Sequence, residues 1–562
     1  MTQQVIARSG YWTSLGRSLN QRADARDSSA FICKSLRLIC DSNTLRVNSP
    51  LATVGALSNP RSFVTADALD DERAALGERL GLSDPALIRN RCYVNGRWLG
   101  AASGDTFPVD DPATREKLIS VPNLSADETH TAIADAAAAF PSWSSMTAAA
   151  RSTMLRRWHD LIVQHSDDLA KIMVAEQGKP AREAEGEMSY AASFVEWFSE
   201  EARRTYGEII PSHDGDSRLF VLRQPVGVVA AVTPWNFPAA MVTRKAAAAL
   251  AAGCVVVLKP SEETPLSALA LVALAERAGL PPGVLNVVTG DAETVGGALA
   301  SSDAVRKLSF TGSTDVGKSL QRRCADTVKR TSMELGGNAP FIVFDDADVN
   351  AAVDGAMTSK FRNSGQTCVC AQRFLAHASV ADDFAEKLAA RAASLVVGVD
   401  QGPLINDQAM EKVEVHVADA LERGARALTG GERARPEGAP DDAPFSYYRP
   451  TVLAECARDA RIFSEETFGP VAAVFSFETE AEAIAMANDT RSGLAAYVYT
   501  SDAERMWRVG EALEAGMVGA NTGAVSTAVA PFGGVKESGV GREGGKQGID
   551  EYLEVKYMCV RA

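Results

Sequence analysis

Short runs of apolar residues alternate with helical patterns through the middle of the chain. The apolar runs cover residues 226–233, 255–258 and 284–288, and helical patterns at 241–252 and 267–278 lie between them. Runs of this length that are separated by helices are typical of buried strands in a parallel sheet. The pattern therefore predicts an α/β fold with a doubly wound domain in this part of the chain.

A second α/β portion follows the first. Strands are predicted at 341–344, 471–477 and 495–499, and a helical pattern covers 381–395. Because open α/β sheets bind ligands at the ends of their strands, functional residues are expected in the loops that follow or join these runs.

The region before the parallel strands combines a hairpin with helices. An Asn-Gly pair between alternating apolar residues at 92–98 predicts a two-residue hairpin turn. Helical patterns cover 126–140, 148–176 and 184–205, and residues 217–224 are predicted to form an extended strand.

The two ends of the chain differ from the middle. Residues 553–559 are apolar at every second position, which predicts a half-buried strand, and residues 217–224 are a second candidate edge strand. Residues 1–84 are predicted to be an N-terminal extension of low order or a targeting segment, with one helix at 69–82. The first sixty residues carry seven Lys or Arg and three Asp or Glu, and those acids weaken the transit-peptide interpretation. We expect a cytoplasmic location, with the mitochondrial matrix as the alternative.

Composition excludes several classes of protein. With 46% hydrophobic and 23% charged residues, the 562-residue chain has an ordinary globular composition. The net charge of −15 argues against a nucleic-acid partner, and no apolar run approaches the roughly 20 residues of a membrane span. Nine irregularly spaced cysteines do not have the paired spacing of a zinc site, so no metal is expected.

The stretch from Phe361 to Cys370 carries the main candidate for chemistry. Cys368 lies in a small, polar, glycine-containing segment, whereas Cys254 lies among Ala and Val as a packed thiol does. A buried, inert Cys368 is the alternative, but its neighbours favour an activated nucleophile. The six histidines lie outside every motif, so a Cys–His pair has little support.

Four loops at predicted strand ends carry the other candidates. Asn236 offers an amide donor between two prolines, and Lys259, with the acid that follows it, can hold ribose hydroxyls. The turn at Gly312-Ser313 suits a pyrophosphate at a helix N-terminus, although it is not the common GxGxxG fingerprint. Glu334 places a carboxylate beside two glycines.

Four motifs together make the chain resemble the aldehyde dehydrogenase superfamily, nearest to the succinate-semialdehyde dehydrogenases. The motifs are residues 259–265, 333–340, 363–370 and 465–470, and the likeness runs from about residue 87 to the C-terminus. The resemblance implies an NAD-binding domain at 85–205 and 225–336 and a catalytic domain at 337–536. It also implies oligomerisation strands at 206–224 and 548–562.

The resemblance also implies roles for single residues. Cys368 attacks the aldehyde, Asn236 and the Cys368 N–H hold the oxyanion, and Glu334 is the general base that hydrolyses the thioester. The residues implied to bind the cofactor are Trp235, Lys259, Ser261, Glu262, Gly312, Ser313, Leu335 and Glu466. A carboxylate at Glu262 favours NAD, because it would repel the 2′-phosphate of NADP, although NADP stays possible.

Two arginines near the catalytic residues suggest the kind of substrate. Burying Arg244 and Arg362 without an anion would be costly. A carboxylate at the far end of a substrate would pair with both guanidinium groups. With Ser526 they match the carboxylate-binding set of succinate-semialdehyde dehydrogenases. Succinate semialdehyde is the expected substrate and glutarate semialdehyde the alternative, because one methylene changes discrimination by only about 1–3 kcal/mol.

Two further hypotheses come from the cysteines. A cysteine thioesterase would also use Cys368 with a glutamate, but it would not need the cofactor motifs. If Cys368 is an activated thiol, its pKa should be depressed and oxidants should attack it. Cys370 is then a candidate resolving thiol of a reversible redox switch, and simple packing of Cys370 is the alternative.

Overall fold

The computed structural model describes residues 67–436 and 445–561, and helices occur throughout this part of the chain. Numbered along the chain, the α-helices there are α1 (Asp67–Arg79), α2 (Ala126–Ser144), α3 (Ala148–Gln164), α4 (Ser166–Gln177), α5 (Ala181–Glu201), α6 (Ala240–Ala252), α7 (Pro265–Arg277), α8 (Ala292–Ser301), α9 (Thr314–Ala325), α10 (Val349–Lys360), α11 (Ala381–Ala393), α12 (Asp407–Glu422), α13 (Arg461–Ser464), α14 (Glu480–Asn488), α15 (Ala503–Ala512) and α16 (Gly545–Asp550). Short 3₁₀ turns lie at Pro85–Leu87, Ala202–Arg204 and Arg362–Gly365.

The first large sheet has the order β2-β1-β9-β8-β7-β10-β11-β23. Its strands, also numbered along the chain, are β1 (Cys92–Val94), β2 (Arg97–Leu99), β7 (Val228–Val232), β8 (Val255–Lys259), β9 (Leu285–Val287), β10 (Val305–Thr311), β11 (Arg330–Glu334) and β23 (Gly539–Val540). The strands from β9 to β11 run parallel, as the alternation of apolar runs and helices predicted. The doubly wound first domain is confirmed.

The second large sheet has the order β14-β17-β18-β13-β12-β20-β21. Its strands are β12 (Ala339–Val343), β13 (Ala371–His377), β14 (Arg426–Thr429), β17 (Thr451–Ala454), β18 (Val471–Phe477), β20 (Ala495–Tyr499) and β21 (Met517–Ala520). All neighbours except β14 run parallel, so the second α/β portion is also confirmed.

A three-stranded sheet, β24-β6-β5, brings the C-terminal strand onto the strand at 217–224. It consists of β5 (Glu208–Ile210), β6 (Ser217–Pro225) and β24 (Leu553–Arg561), and β24 pairs with β6 over its full length. Apolar side chains on both outer strands are exposed, among them Ile209 at 75% and Val555 at 62%. The remaining pairs are β3 (Thr106–Asp110) with β4 (Lys117–Pro122), β15 (Arg433–Ala434) with β16 (Tyr447–Tyr448), and β19 (Ser492–Gly493) with β22 (Val535–Lys536).

Two local predictions have opposite outcomes. The hairpin at 92–98 is confirmed, and both Asn95 and Gly96 have the positive φ that its turn requires. The single helix expected over 148–176 was wrong. Helix α3 ends and α4 begins at His165, which leaves helical geometry with φ −105° and ψ 17°. Both halves are amphipathic, so the apolar pattern continued across a break that it could not reveal.

Residues 67–84 pack on the folded body. The predicted helix at 69–82 is confirmed as α1, in which Glu72 accepts hydrogen bonds of 2.7 Å from Ser120 N and from Lys117 Nζ. The other predictions for residues 1–84 fall mainly on 1–66, outside the described residues, and the domain boundaries stay predictions. Among the helices of the described ranges, none combines the length and apolarity that a membrane crossing requires.

Candidate active site

One cavity of about 870 Å³ collects most of the predicted site residues. It lies where the loops after β7, β10 and β11 meet the segment before β13, the helix α12 and the loop at 465–468. The predicted residues that line it are Trp235, Asn236, Gly312, Ser313, Glu334, Leu335, Cys368 and Glu466. Lys259, Ser261, Glu262, Arg244, Arg362, Ser526 and Cys370 are not among the described residues that line this cavity.

The loop that carries Cys368 is held in an unusual backbone conformation. Asn363 and Ser364 both have left-handed φ values, 51° and 55°, at a cost of about 1–3 kcal/mol each. Buried side chains offset this cost. Ser364 Oγ donates to Gly402 O at 2.8 Å, and Gln366 accepts from Ile405 N at 3.0 Å. The thiol is therefore presented by a fixed loop.

Asn236 is fixed against the same loop. Its side-chain Nδ2 donates to the backbone carbonyl oxygen of Gln366 at 2.8 Å. The backbone carbonyl oxygen of Asn236 accepts from Lys179 Nζ at 2.8 Å and from Asn363 Nδ2 at 2.9 Å. An amide nitrogen has two hydrogens, so one remains for a ligand in the cavity. The Cys368 N–H also has no hydrogen-bond partner among the described residues. These two donors can serve as an oxyanion hole.

Sequence reasoning missed the residues that support Asn236. Lys179 and Glu187 form a fully buried ion pair, and Glu187 Oε1 also accepts from Ala239 N and Ala240 N at the start of α6. A buried pair of this kind holds its neighbours rigidly because breaking it leaves an uncompensated charge. The sequence could not predict this contact, because Lys179 and Asn236 are 57 residues apart along the chain.

Glu334 is a buried carboxylate without protein hydrogen bonds. It ends β11, is 2% exposed, and neither of its oxygens has a partner in the described part of the chain. Burial, and then the nearby carboxylate of Glu543, raise its pKa well above the usual value. A buried, unpartnered carboxylate that faces a cavity has the chemistry of a general base.

The expectation that Arg244 and Arg362 are buried without an anion was wrong. Arg244 is 1% exposed, but Glu543 pairs with it and Phe532 lies under its guanidinium, 4.2 Å from ring centroid to Cζ. Arg362 is exposed and lies 5.4 Å from the Phe237 ring centroid. Ser526 is partly exposed. Neither arginine therefore needs a substrate anion to be stable, and their role in binding one stays a prediction.

The expectation of a depressed thiol pKa was also wrong. Burial raises the pKa of Cys368 to about 12, and the carboxylates of Glu466 and Glu334 add to this rise. Arg244 and Arg362 lower the pKa, but their effect is smaller than that of burial. Cys368 is partly exposed, whereas Cys370 is buried with its Sγ 3.5 Å from Lys360 O, and both cysteines are free thiols. The redox switch stays a prediction.

The features around the cavity fit a dinucleotide. Ser313 caps the N-terminus of α9, so the helix directs its free N–H groups toward the cavity edge where an anion can bind. The Trp235 ring contacts Phe468 edge-on, with centroids 5.6 Å apart, and adds an apolar wall. Lys259 pairs with Glu262 at 2.8 Å next to this edge of the sheet.

Glu466 is held on the opposite wall. Its Oε1 accepts from Gly337 N at 3.0 Å, and a Cβ at Gly336 would come within 2.8 Å of its Oε2. A Cβ at Gly337 would overlap the carbonyl oxygen of Cys368. The two glycines therefore allow Glu466 and Cys368 to approach the same stretch of backbone. Burial raises the pKa of Glu466 to about 7.

The raised thiol pKa predicts slow alkylation of Cys368 in the absence of ligands. With a pKa of about 12, the thiolate fraction should rise about tenfold per pH unit between pH 7 and pH 10. Iodoacetamide labelling of Cys368, followed by peptide mass spectrometry, should show this slope, with Cys368→Ala as the unlabelled control. A labelling rate that levels off below pH 8 would show that the thiol pKa is depressed after all.

Comparison with known proteins agrees with this geometry. Residues 98–558 match the sequence model described as "Aldehyde dehydrogenase family". The chain is 56% identical to the succinate-semialdehyde dehydrogenase [NADP(+)] GabD of Escherichia coli (strain K12) and 55% identical to the glutarate-semialdehyde dehydrogenase of Pseudomonas putida, over 85% of this chain and 99% of each relative. The crystal structure of succinate-semialdehyde dehydrogenase from Burkholderia pseudomallei has a TM-score of 0.83 at 54% identity, covering 86% of this chain and all of that one. The resemblance seen in the sequence is confirmed, and the chain belongs to the aldehyde dehydrogenase family.

Proposed function

We propose that this aldehyde dehydrogenase oxidises succinate semialdehyde to succinate, with NAD(P) as the cofactor. The observation that carries the proposal is the meeting of Cys368, Asn236 and Glu334 around one cavity whose other wall fits a dinucleotide. The relatives named as succinate-semialdehyde dehydrogenases support the choice of substrate. The relative named for glutarate semialdehyde keeps that substrate as the alternative.

The proposed chemistry has two stages. Cys368 loses its thiol proton to water in the cavity, and its Sγ adds to the aldehyde carbon while the C=O electron pair moves onto oxygen. The free hydrogen of Asn236 Nδ2 and the Cys368 N–H stabilise the resulting oxyanion. A bound nicotinamide cofactor supplies the acceptor for the hydride. Once the hydride has left, the acyl group stays on sulfur as a thioester. Glu334 then takes a proton from water, which attacks the thioester; the C–S bond breaks, the acid is released, and the Cys368 sulfur recovers a proton.

Glu334 must be ionised to act as a base. Because burial raises its pKa, Glu334 ionises at higher pH than an ordinary carboxyl group, and deacylation should become faster with rising pH until Glu334 is fully ionised.

We expect Glu334→Gln to separate the two stages. Formation of reduced cofactor in a single turnover should persist, whereas steady-state turnover should fall by about 10²–10⁴-fold, the usual contribution of a general base. Rapid-mixing absorbance at 340 nm measures both quantities. Cys368→Ala is the control and should abolish dehydrogenase and esterase turnover together. Loss of the single-turnover burst in Glu334→Gln would assign Glu334 to the first stage instead.

A carboxylated substrate fits the charges beside the thiol. Arg362 is exposed near Phe237, a residue that lines the cavity, and it is close enough to Cys368 to lower its pKa. The hydroxyl of Tyr190 is buried beside these arginines: burial raises its pKa, and both Arg244 and Arg362 lower it. Since Glu543 already pairs with Arg244, we assign the main contact with a substrate carboxylate to Arg362, assisted by Arg244 and Ser526.

Arg362→Met should therefore change substrate preference. We expect kcat/KM for succinate semialdehyde to fall about 10–100-fold, which corresponds to a lost charged hydrogen bond of roughly 1.5–3 kcal/mol. Activity with butanal, which has the same carbon number and no carboxylate, should stay within about twofold of the wild type, because butanal makes no such bond. Arg449→Met, at a surface arginine paired with Glu432, is the matched control. An equal loss with both aldehydes would remove Arg362 from carboxylate recognition.

Glu262 supports a preference for NAD over NADP. Its carboxylate, paired with Lys259 at 2.8 Å and about one third exposed, can accept hydrogen bonds from a ribose 2′-OH but repels a 2′-phosphate. The E. coli relative is named for NADP(+), which keeps NADP as the alternative cofactor.

Glu262→Ser should improve NADP binding. We expect the Kd for NADP to fall about tenfold, since one charge repulsion near a surface corresponds to about 1–2 kcal/mol, whereas the Kd for NAD should change little. Quenching of protein fluorescence during titration with each cofactor measures this. Glu293→Ser, at an exposed glutamate paired with Arg323, is the control. Unchanged NADP affinity would show that Glu262 does not determine cofactor choice.

A hydrolase is the rival class. A cysteine thioesterase would release acid from a thioester without any change in cofactor absorbance. Absorbance at 340 nm upon addition of the semialdehyde therefore distinguishes the two.

We further propose that the chain forms a homo-oligomer, because the outer strands β5 and β24 expose apolar side chains that a partner would cover. The proposed location is the cytoplasm, with the mitochondrial matrix as the alternative. We retain the hypothesis of Cys370 as a resolving thiol for Cys368, with packing of Cys370 as its alternative.

A further inference from the structure

His416 lies under the wall of the cavity that carries Glu466. It projects from α12, is 1% exposed, and lines the cavity. Its Nδ1 is 3.1 Å from Thr467 Oγ1, and its Nε2 is 3.3 Å from Glu465 Oε2 without forming a hydrogen bond. One imidazole therefore contacts the side chains on both sides of Glu466.

The backbone of this loop explains why that contact matters. Glu465 is extended, with φ −109° and ψ 138°. In extended backbone, residues i and i+2 point to one side and residue i+1 points to the other. The contacts agree, because Glu465 and Thr467 face the imidazole while Glu466 reaches Gly337 N at 3.0 Å. Fixing the two flanking side chains thus fixes the direction in which Glu466 points.

The partners also define the protonation state of the imidazole. Burial, and then the ammonium group of Lys412, lower the pKa of His416 to about 4, so the ring is neutral near pH 7. Its Nε2 faces a carboxylate and therefore carries the hydrogen, which leaves the Nδ1 lone pair to accept the Thr467 hydroxyl hydrogen. We assign this tautomer from the partners. The contact with Thr467 is thus a hydrogen bond, and the contact with Glu465 is electrostatic.

Two other side chains hold the same loop, but each of them contacts one neighbour of Glu466. Gln372 Oε1 accepts from Thr467 N and from the buried Lys360 Nζ, both at 3.3 Å. Arg461 binds the Glu465 carboxylate in a bidentate manner at 3.0 Å. Among the described residues, His416 is the one whose side chain contacts the side chains of both neighbours of Glu466. This makes it the group best placed to determine the direction of the Glu466 carboxylate.

We propose that His416 is a positioning residue for Glu466, and that through Glu466 it determines how tightly the nicotinamide cofactor binds. The inference rests on the proposed role of Glu466 as a cofactor ligand. His416 has no direct chemical part in this proposal: it prevents the Glu466 carboxylate from turning away from the cavity. The charge of the ring does not enter, because the neutral imidazole makes both contacts.

The test uses three substitutions that remove the two contacts separately. His416→Leu removes both, His416→Asn keeps a polar atom near the Nδ1 position, and His416→Gln keeps one near the Nε2 position. We expect the Kd for NAD, measured by protein fluorescence without substrate, to rise about 5–30-fold in His416→Leu, equivalent to one hydrogen bond of roughly 1–2 kcal/mol. His416→Asn should stay nearest the wild type because it can keep the bond to Thr467, and His416→Gln should be intermediate.

Two controls separate positioning from general damage. His130→Leu, at an exposed histidine on α2, should leave the Kd unchanged. Hydrolysis of p-nitrophenyl acetate, which uses the Cys368 site but no bound cofactor, should stay near the wild-type rate in every His416 variant. Thr467→Val removes the hydroxyl without loss of volume and should reproduce most of the His416→Leu effect, which keeps the test valid if the leucine variant folds poorly.

The Glu466→Gln background decides between the outcomes. If His416 acts through Glu466, His416→Leu should raise the Kd little further once Glu466→Gln is present. Independent, additive losses would overturn the proposal, as would an unchanged Kd in both His416→Leu and Thr467→Val. If Glu466→Gln alone leaves the Kd for NAD unchanged, the proposed cofactor role of Glu466 fails first, and the inference about His416 fails with it.

Discussion

The hydrogen bond from Asn236 Nδ2 to the carbonyl oxygen of Gln366 is the contact on which the site depends. It joins the loop after β7 of the first sheet to the loop that carries Cys368, across 130 positions of sequence. The other groups at this junction, Lys179 and Asn363, bind the Asn236 carbonyl and so hold the same peptide from its other side. Because both loops are tied to each other, donor and nucleophile keep a fixed separation before any substrate arrives.

Parallel strand order brings the remaining groups to this junction. In the first sheet β10 lies between β7 and β11, so the loops that carry Asn236, Gly312 and Glu334 emerge side by side. Asn406, which caps α12, also donates to Glu263 at 2.8 Å and ties this helix to the loop after β8. The cavity is therefore built from elements that are each anchored at an end, which keeps its walls rigid.

The local sequence predicted the strands, the two α/β portions and the site residues that lie in the motifs of the family. It could not supply the partners that come from distant parts of the chain. The pair of Lys245 with Glu543 spans 298 positions, and His416 reaches Thr467 over 51 positions. The same limit explains the error on the Cys368 pKa, because desolvation depends on the whole fold and not on neighbouring residues. The break at His165 was missed for the opposite reason, since the apolar period continues through it.

Two cations determine how the two buried carboxylates of this region differ. Arg244 and Lys245 both contact Glu543, and they hold its pKa below the ordinary value despite complete burial. Glu334 has no such partner within ion-pair distance among the described residues, and its pKa rises because the charge of Glu543 adds to its own desolvation. The two cations are therefore placed unevenly, on the side of Glu543. Their uneven placement keeps one acid ionised for structure and leaves the other with the raised proton affinity that general base catalysis requires.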